Sequence, residues 1–200
     1  MKTVYLVRHA ETAWNVAGKV QGALDIPLSP TGVVQTRKTI AFLSTVRFDA
    51  VFTSPLARAR AIAEPVGQTL GIPAIVVPDL QEINFGGWEG HTLNEVEVLY
   101  PDTFAAWKLK LPEAQPDGGE SLLQAGIRAR NVRSLLESHP GRLILVVAHG
   151  GINRILISTL LDLPASAYSD FEQLNAGISV LTMEDKTWRA LSMDSTSHLV

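Results

Sequence analysis

Cysteine is absent from the 200 residues, which excludes disulfides and thiolate metal sites and fits a reducing compartment. Positive charge is also scarce, with 17 Lys and Arg against 20 Asp and Glu and a net charge of −3. No general attraction to nucleic acid or to an anionic membrane is therefore expected, and any anion site must be a local concentration of cations. Long apolar runs are missing too. The longest, Leu143 to Ala148, is the size of a buried strand and far short of a bilayer span. After Met1-Lys2-Thr3 only a handful of apolar residues precede Arg8, too few for a signal peptide. The expectation is a cytoplasmic protein. Repeats, low-complexity tracts and carboxylate clusters suited to a metal are lacking as well. The length suits one domain, residues 1–200, with room for a mainly helical insertion at about 90–120.

What is present is an alternation. Val4 to Val7 is a short β-prone run. A polar loop, Val16 to Pro27, leads to Ser29-Pro30, an N-cap followed by proline at the first helical position. The spacing predicts a helix over Pro30 to Leu43 burying Val33, Thr36, Ile40 and Leu43. Strand Ala50 to Thr53, an Ala-rich helix from about Leu56, and strand Ala74 to Val77 follow. Strand, helix, strand, helix, strand is the signature of an α/β domain with a mostly parallel sheet. Leu80 to Gly90 has no usable period and reads as loop, and Thr92 to Trp107 as helix interrupted by Pro101. Lys108 to Gly119 connects to the longest helix, Glu120 to Ser138, with Leu122, Leu123, Ile127, Val132, Leu135 and Leu136 toward the core. Leu143 to Ala148 is a central strand covered on both faces, followed by a helix over Ile152 to Leu161. Strands near Ile178 to Met183 and Trp188 to Met193 read as a hairpin, and the last residues as frayed.

The chemistry-bearing residues sit where the strands stop. Arg8-His9 ends the first, Ser54 to Arg58 follows the second, and His149-Gly150-Gly151 follows the central one. Right-handed crossovers keep parallel strands pointing one way, so these ends share one edge of the sheet. Taken singly, each residue is more often an ordinary surface cation or a satisfied buried histidine. Their recurrence at successive strand ends is what single explanations miss. Arg8, His9, Arg58 and His149 would converge there, and the helix after Gly150-Gly151 would aim free N–H groups at the same spot. Two guanidiniums make forked bonds to tetrahedral oxygens. The site reads as a phosphoryl pocket.

Leu6-Val7-Arg8-His9-Ala10-Glu11-Thr12 with Trp14-Asn15 resembles the Arg-His-Gly signature of the histidine phosphatase superfamily, the phosphoglycerate mutase-like proteins. Further matches follow in order: Asp25 to Ser29 with Gly32, Thr53 to Ala59, Leu80 with Glu82, and Phe85-Gly86 with Trp88-Glu89-Gly90. Pro116 with Gly118 to Ser121, and Val147 to Gly151, complete the set. Ala10 stands where the family usually has Gly and Ile62 where Thr is frequent. Neither removes a reactive group.

The resemblance implies a three-layer α/β/α fold with a mostly parallel central sheet and a metal-independent phosphomonoester hydrolase without a cofactor. It implies His9 as nucleophile, forming a phosphohistidine, with a backbone carbonyl fixing its other nitrogen. Arg8, Arg58, His149 and Asn15 would hold the equatorial oxygens, and Glu82 would act as general acid, then base. Gln21, Gly22 and Gly150 are implied as further contacts to substrate, the first two within the Val16 to Leu24 loop. Trp14, Phe85, Trp88 and Tyr100 could line the leaving-group side. The substrate is a small phosphorylated metabolite whose identity stays open among α-ribazole 5′-phosphate, phosphoserine, phosphoglycerate and a broad range. A phosphoglycerate mutase and a non-catalytic phosphate binder are the rivals. A homodimer is the default assembly.

Overall fold

The computed structural model describes all 200 residues. One sheet holds β1 (Lys2–Arg8), β2 (Ala50–Thr53), β3 (Ala74–Val76), β4 (Leu143–Ala148), β5 (Ile178–Glu184) and β6 (Thr187–Ser195). Their order is β3-β2-β4-β1-β5-β6. Strands β1 to β4 are parallel, β5 runs antiparallel beside β1, and β6 runs antiparallel beside β5 at the sheet edge. Helices are α1 (Ala13–Val16), α2 (Pro30–Leu43), α3 (Ala57–Leu70), α4 (Leu93–Leu99), α5 (Pro101–Lys108), α6 (Leu122–Ser138) and α7 (Gly150–Leu160).

The continuous apolar run of β4 has two faces to fill. Ile144, Val146 and Ala148, with Val4 and Leu6 of β1, pack on Ala125, Ala129 and Val132 of α6 and Ile152 and Ile155 of α7. Leu145 and Val147, with Val7 and Val51, meet Leu43 of α2 and Ile62, Ala63 and Val66 of α3. The mostly parallel sheet expected from the alternation, in the three layers that the resemblance implied, is the arrangement adopted. No helix is long and apolar enough to cross a membrane.

Details of several faces differ from the periodicity. Val33 is 39% exposed, and the buried side of α2 is Gly32, Thr36, Thr39 and Leu43. The start of α2 lies so close to the Glu11 carbonyl that only a glycine fits at position 32. Leu123 and Ile127 are exposed, and α6 instead buries Ala125, Gly126 and Ala129. Small residues let α6 approach α7 closely, and close packing there outweighs burying two larger side chains at a distance. The C-terminus is tied down, not frayed. His198 Nε2 lies 3.0 Å from Thr39 Oγ1 and its ring stacks on Phe42. The β5–β6 hairpin forms with Asp185 at φ 48° and Lys186 at φ 63°, the left-handed pair that a two-residue turn of matching twist requires.

Helices α4 and α5 and the chain up to Ser121 lie outside the sheet layers. Trp88, Val96 and Phe104 form a small core of their own there. Thr92 starts α4 with a reciprocal capping box to Glu95.

The N-terminal strand is fixed to α6 by a charge. The Lys2 ammonium donates to the Leu136, Glu137 and His139 carbonyls at the C-terminal end of that helix, where the helix dipole favours a cation. Replacing Lys2 by Met should lower unfolding free energy by about 2 kcal/mol, as lost charged hydrogen bonds typically do. Urea denaturation measures it, and an unshifted midpoint would show that the ammonium does not hold the helix end.

Candidate active site

Strands β2, β4 and β1 are neighbours, and their register is level: Thr53 pairs with Val147 and Arg8 with Ala148. The residues that follow, Ser54, His149 and His9, therefore emerge at one rim. The His9 and His149 ring centres are 5.2 Å apart. A cleft of about 680 Å³ opens above them, lined by Arg8, His9, Asn15, Gln21, Gly22, Arg58 and Glu82 among others. His149 is fully enclosed beside His9. Arg8, His9, Asn15, Gln21, Gly22, Arg58 and Glu82 thus come together at one place, with His149 beside them.

His9 Nδ1 donates to the Ala10 carbonyl at 2.7 Å, which leaves the lone pair on Nε2. Burial, then the Arg8 and Arg58 charges, hold this imidazole well below its ordinary value. His149 is likewise held low by burial, then by His9 and the two arginines. Both rings are neutral near pH 7. His149 Nε2 lies 2.6 Å from Ser54 Oγ. Its Nδ1 is buried with no partner in the chain.

The guanidiniums are anchored by backbone carbonyls. Arg8 Nη1 donates to Gln173 O at 2.6 Å. Arg58 Nη1 donates to Leu24 O and Nη2 to Gly22 O at 2.8 Å, with Asp25 at 4.0 Å. Asp25 also accepts the Ala57 N–H through both oxygens at 3.0 Å, closing the start of α3 where no side-chain cap is in place. In both arginines the Nε is buried and unpaired. Buried donors without acceptors are uncommon enough to require a reason.

Glu82 corrects one expectation. The free N–H groups at the start of α7 are not all open to an anion, because this carboxylate takes two of them. Gly151 N–H donates to Oε2 at 3.0 Å, Ile152 N–H to Oε1 at 2.9 Å, and Ile83 N–H to Oε1 at 3.0 Å. Only the Gly150 N–H of this turn lacks an acceptor in the chain. The paired glycines explain themselves in space. A Cβ at Gly150 would sit 3.2 Å from Arg8 Nε, and one at Gly151 would sit 2.6 Å from Glu82 Oε1.

Asn15 Oδ1 accepts from Thr12 N–H at 3.0 Å and from Asn175 Nδ2 at 3.1 Å, so its amide N–H₂ is the end left for the cleft. Gln21 Oε1 accepts from the Thr12 hydroxyl at 2.9 Å and is oriented the same way. Asn175 was not legible in the sequence as a site residue. It also donates to His9 O at 3.3 Å, and the Ala176 N–H donates to that same carbonyl at 3.1 Å. The loop before β5 is therefore the backing of His9, Arg8 and Asn15. Trp14 and Tyr100 do not line the cleft, whereas Phe85 and Trp88 do, joined by Phe104, Trp107 and Tyr168. No group of three or more His, Asp or Glu side chains is assembled to hold a metal ion.

Residues 4–196 match the histidine phosphatase superfamily (branch 1). The chain belongs to that superfamily. It is a histidine phosphatase hydrolase with the phosphoglycerate mutase-like fold. Phosphoserine phosphatase 1 of Hydrogenobacter thermophilus is 32% identical over 200 residues, covering 100% of this chain and 95% of that protein. The 2-carboxy-D-arabinitol-1-phosphatase of Triticum aestivum is 35% identical over 181 residues, 90% of this chain but 37% of that protein. A protein named probable phosphoglycerate mutase in Cronobacter sakazakii is 33% identical over 198 residues, covering 95% and 89%. Among solved structures, a mutant phosphoserine phosphatase of Entamoeba histolytica in complex with phosphoserine superposes with a TM-score of 0.89 at 28% identity, over 100% of both chains. The α-ribazole phosphatase of Shigella flexneri does so at 0.87 and 29%, over 96% of each.

The neutral histidines make stability depend on pH. Their values in the histidine phosphatase fold lie below the ordinary 6.5, so the unfolded chain takes up protons first as pH falls. The stabilisation is whole above about pH 6.5 and is lost as pH drops toward the lowered values. The ligand-free Tm should fall between about pH 7 and pH 5, with a shallower slope for His9→Asn. Equal slopes in the two proteins would remove His9 from the account.

Proposed function

We propose that the cleft hydrolyses phosphomonoesters of small metabolites in two steps through a phosphohistidine on His9, without a metal. The observation that carries this reading is the pair of buried, unpaired guanidinium donors, Arg8 Nε and Arg58 Nε, with the unpaired His149 Nδ1 beside them, around a neutral imidazole. Donors held in place before charge develops stabilise a phosphoryl transition state without reorganising.

In the first step the His9 Nε2 lone pair bonds to phosphorus and the ester P–O bond breaks. The departing oxygen takes a proton from Glu82, which lines the cleft and is fixed by three backbone N–H groups. In the second, water gives its proton to Glu82 as its oxygen bonds to phosphorus, and the P–N bond breaks to return His9 and free phosphate. The Ala10 carbonyl holds Nδ1–H throughout. Asn15, Gln21 and the Gly150 N–H supply neutral donors at the rim. Phosphoserine and α-ribazole 5′-phosphate, the ligands named for relatives, are the first metabolites to test. An aromatic wall of Phe85, Phe104, Trp107 and Tyr168 suits an alcohol with an apolar body better than a short aliphatic one.

The chain should turn over 4-nitrophenyl phosphate in the presence of EDTA. His9→Ala should abolish both turnover and phosphoenzyme labelling. Metal-dependent turnover, or labelling that survives the substitution, would overturn the mechanism. Glu82→Gln should slow alkyl phosphates by roughly 10²-fold or more and aryl phosphates, whose phenols leave without help, much less. Equal losses on both would take the proton away from Glu82. The mutase reading is favoured by the Cronobacter relative. It requires 2-phosphoglycerate to accumulate from 3-phosphoglycerate, where hydrolysis releases inorganic phosphate alone.

A further inference from the structure

Beyond Arg8 and Arg58 the cleft carries four more cations, Lys19, Lys108, Lys110 and Arg154. Lys108 pairs with Glu97 at 3.3 Å and Lys110 with Asp170 at 3.6 Å. Lys19 is solvent-exposed, 6.0 Å from the Trp14 ring centre. Arg154 differs from all three. It is half-buried, and no ion pair in the chain includes it. It is nevertheless held still. Its Nε donates to the Gly150 carbonyl one helical turn back at 3.0 Å, and the guanidinium carbon lies 5.3 Å from the centre of the Tyr168 ring. One edge of the fork and one face are thereby used. Both Nη groups remain without an acceptor in the chain, on a wall shared with Trp107, Tyr168 and Ser169.

A guanidinium fixed in place with no countercharge in the chain keeps its charge and its open donors for an anionic ligand. The transferring phosphoryl group already has Arg8 and Arg58. Arg154 lines the cleft beside Tyr168, which in turn meets Trp107, the aromatic side suited to the alcohol half of a substrate. Its two open Nη groups match an anion that offers two oxygens side by side. We propose that Arg154 is a specificity-determining residue that grips a second anionic group, carboxylate or phosphate, borne by the alcohol half of the substrate. The proposal rests on the phosphatase reading above and narrows it. The preferred substrate class is a phosphomonoester whose leaving alcohol has an apolar body and an acidic end.

The test compares phenyl phosphates carrying a carboxylate, a phosphonate or the neutral carbamoyl group, each at the meta and para positions. The carboxylate-bearing phenol leaves less readily than its carbamoyl isostere, so a preference for it runs against intrinsic reactivity. The wild-type protein should favour an anionic member over the carbamoyl one by at least about tenfold in kcat/KM at one ring position. The ranking of carboxylate against phosphonate identifies which anion fits. In Arg154→Gln that ratio should collapse toward one, mostly through a raised KM, since the contact is made in ground state and transition state alike. Arg154→Lys should keep part of it. A wild-type ratio of one or less overturns the proposal even if the Gln variant fails to fold. Equal losses on anionic and neutral members also overturn it, because the guanidinium then serves the phosphoryl group or the fold. If the wild type hydrolyses none of the compounds, the phosphatase reading has failed, a separate outcome.

Discussion

Two guanidinium ions beside two imidazoles at the edge of an apolar sheet are the constraint that the rest of the molecule answers. Arg58 is 2% exposed, and burial lowers both arginines from their ordinary values while Glu82 opposes that shift. Leaving such charges without partners would cost several kcal/mol each. The chain supplies partners mostly as backbone carbonyls, from Gln173 for Arg8 and from Gly22 and Leu24 for Arg58. A carbonyl neutralises nothing. It anchors a guanidinium and leaves its charge for a ligand, which a close carboxylate would cancel. Two loops far apart in sequence are thus fixed by the need to solvate two side chains.

The same excess of positive charge sets the state of the histidines. Buried next to Arg8 and Arg58, neither ring gains by protonation, so His9 keeps a lone pair at neutral pH. Glu82 is the one carboxylate that lines the cleft itself, and it bonds to the start of α7. A cleft-lining carboxylate paired closely with both guanidiniums would compete with an anionic substrate, whereas Asp25 stands 4.0 Å from Arg58 and is bonded to the start of α3. At the end of a helix Glu82 is stabilised by N–H groups and the dipole and still faces the cleft. Gly151 is what allows that position, since a side chain there would meet the carboxylate.

The strand ends and the residues on them were legible because each follows an unambiguous apolar run. His149 after β4 and His9 after β1 are placed by sheet geometry alone once the strands are recognised. The resemblance added Glu82 and Asn15, which lie in irregular loops where no period locates them. Asn175 and Arg154 were not legible. An isolated Asn in the loop before β5 and an Arg four residues into an apolar helix look the same whether they face solvent or a site. Helix faces failed for a related reason. Val33, Leu123 and Ile127 are exposed where a rule favouring large apolar residues buries them, because the Glu11 carbonyl leaves room only for Gly32 on the inner side of α2 and the small residues Ala125, Gly126 and Ala129 form the packed face of α6.

The cleft has two kinds of wall, and they belong to different parts of the core. Its floor rises from β1, β2 and β4, whose side chains are locked into the packing on both sheet faces. Moving His9 or His149 would mean shifting a strand in a close-packed layer. Much of the outer wall is held by the small cluster of Trp88, Val96 and Phe104 and by aromatic contacts among Phe85, Trp107 and Tyr168. Changes there can reshape the space around the leaving alcohol while the phosphoryl-binding floor keeps its geometry. Arg154 bridges the two, with its backbone in α7 and its guanidinium on the aromatic wall. A single residue there can link the rigid chemistry of the floor to the identity of what is bound above it.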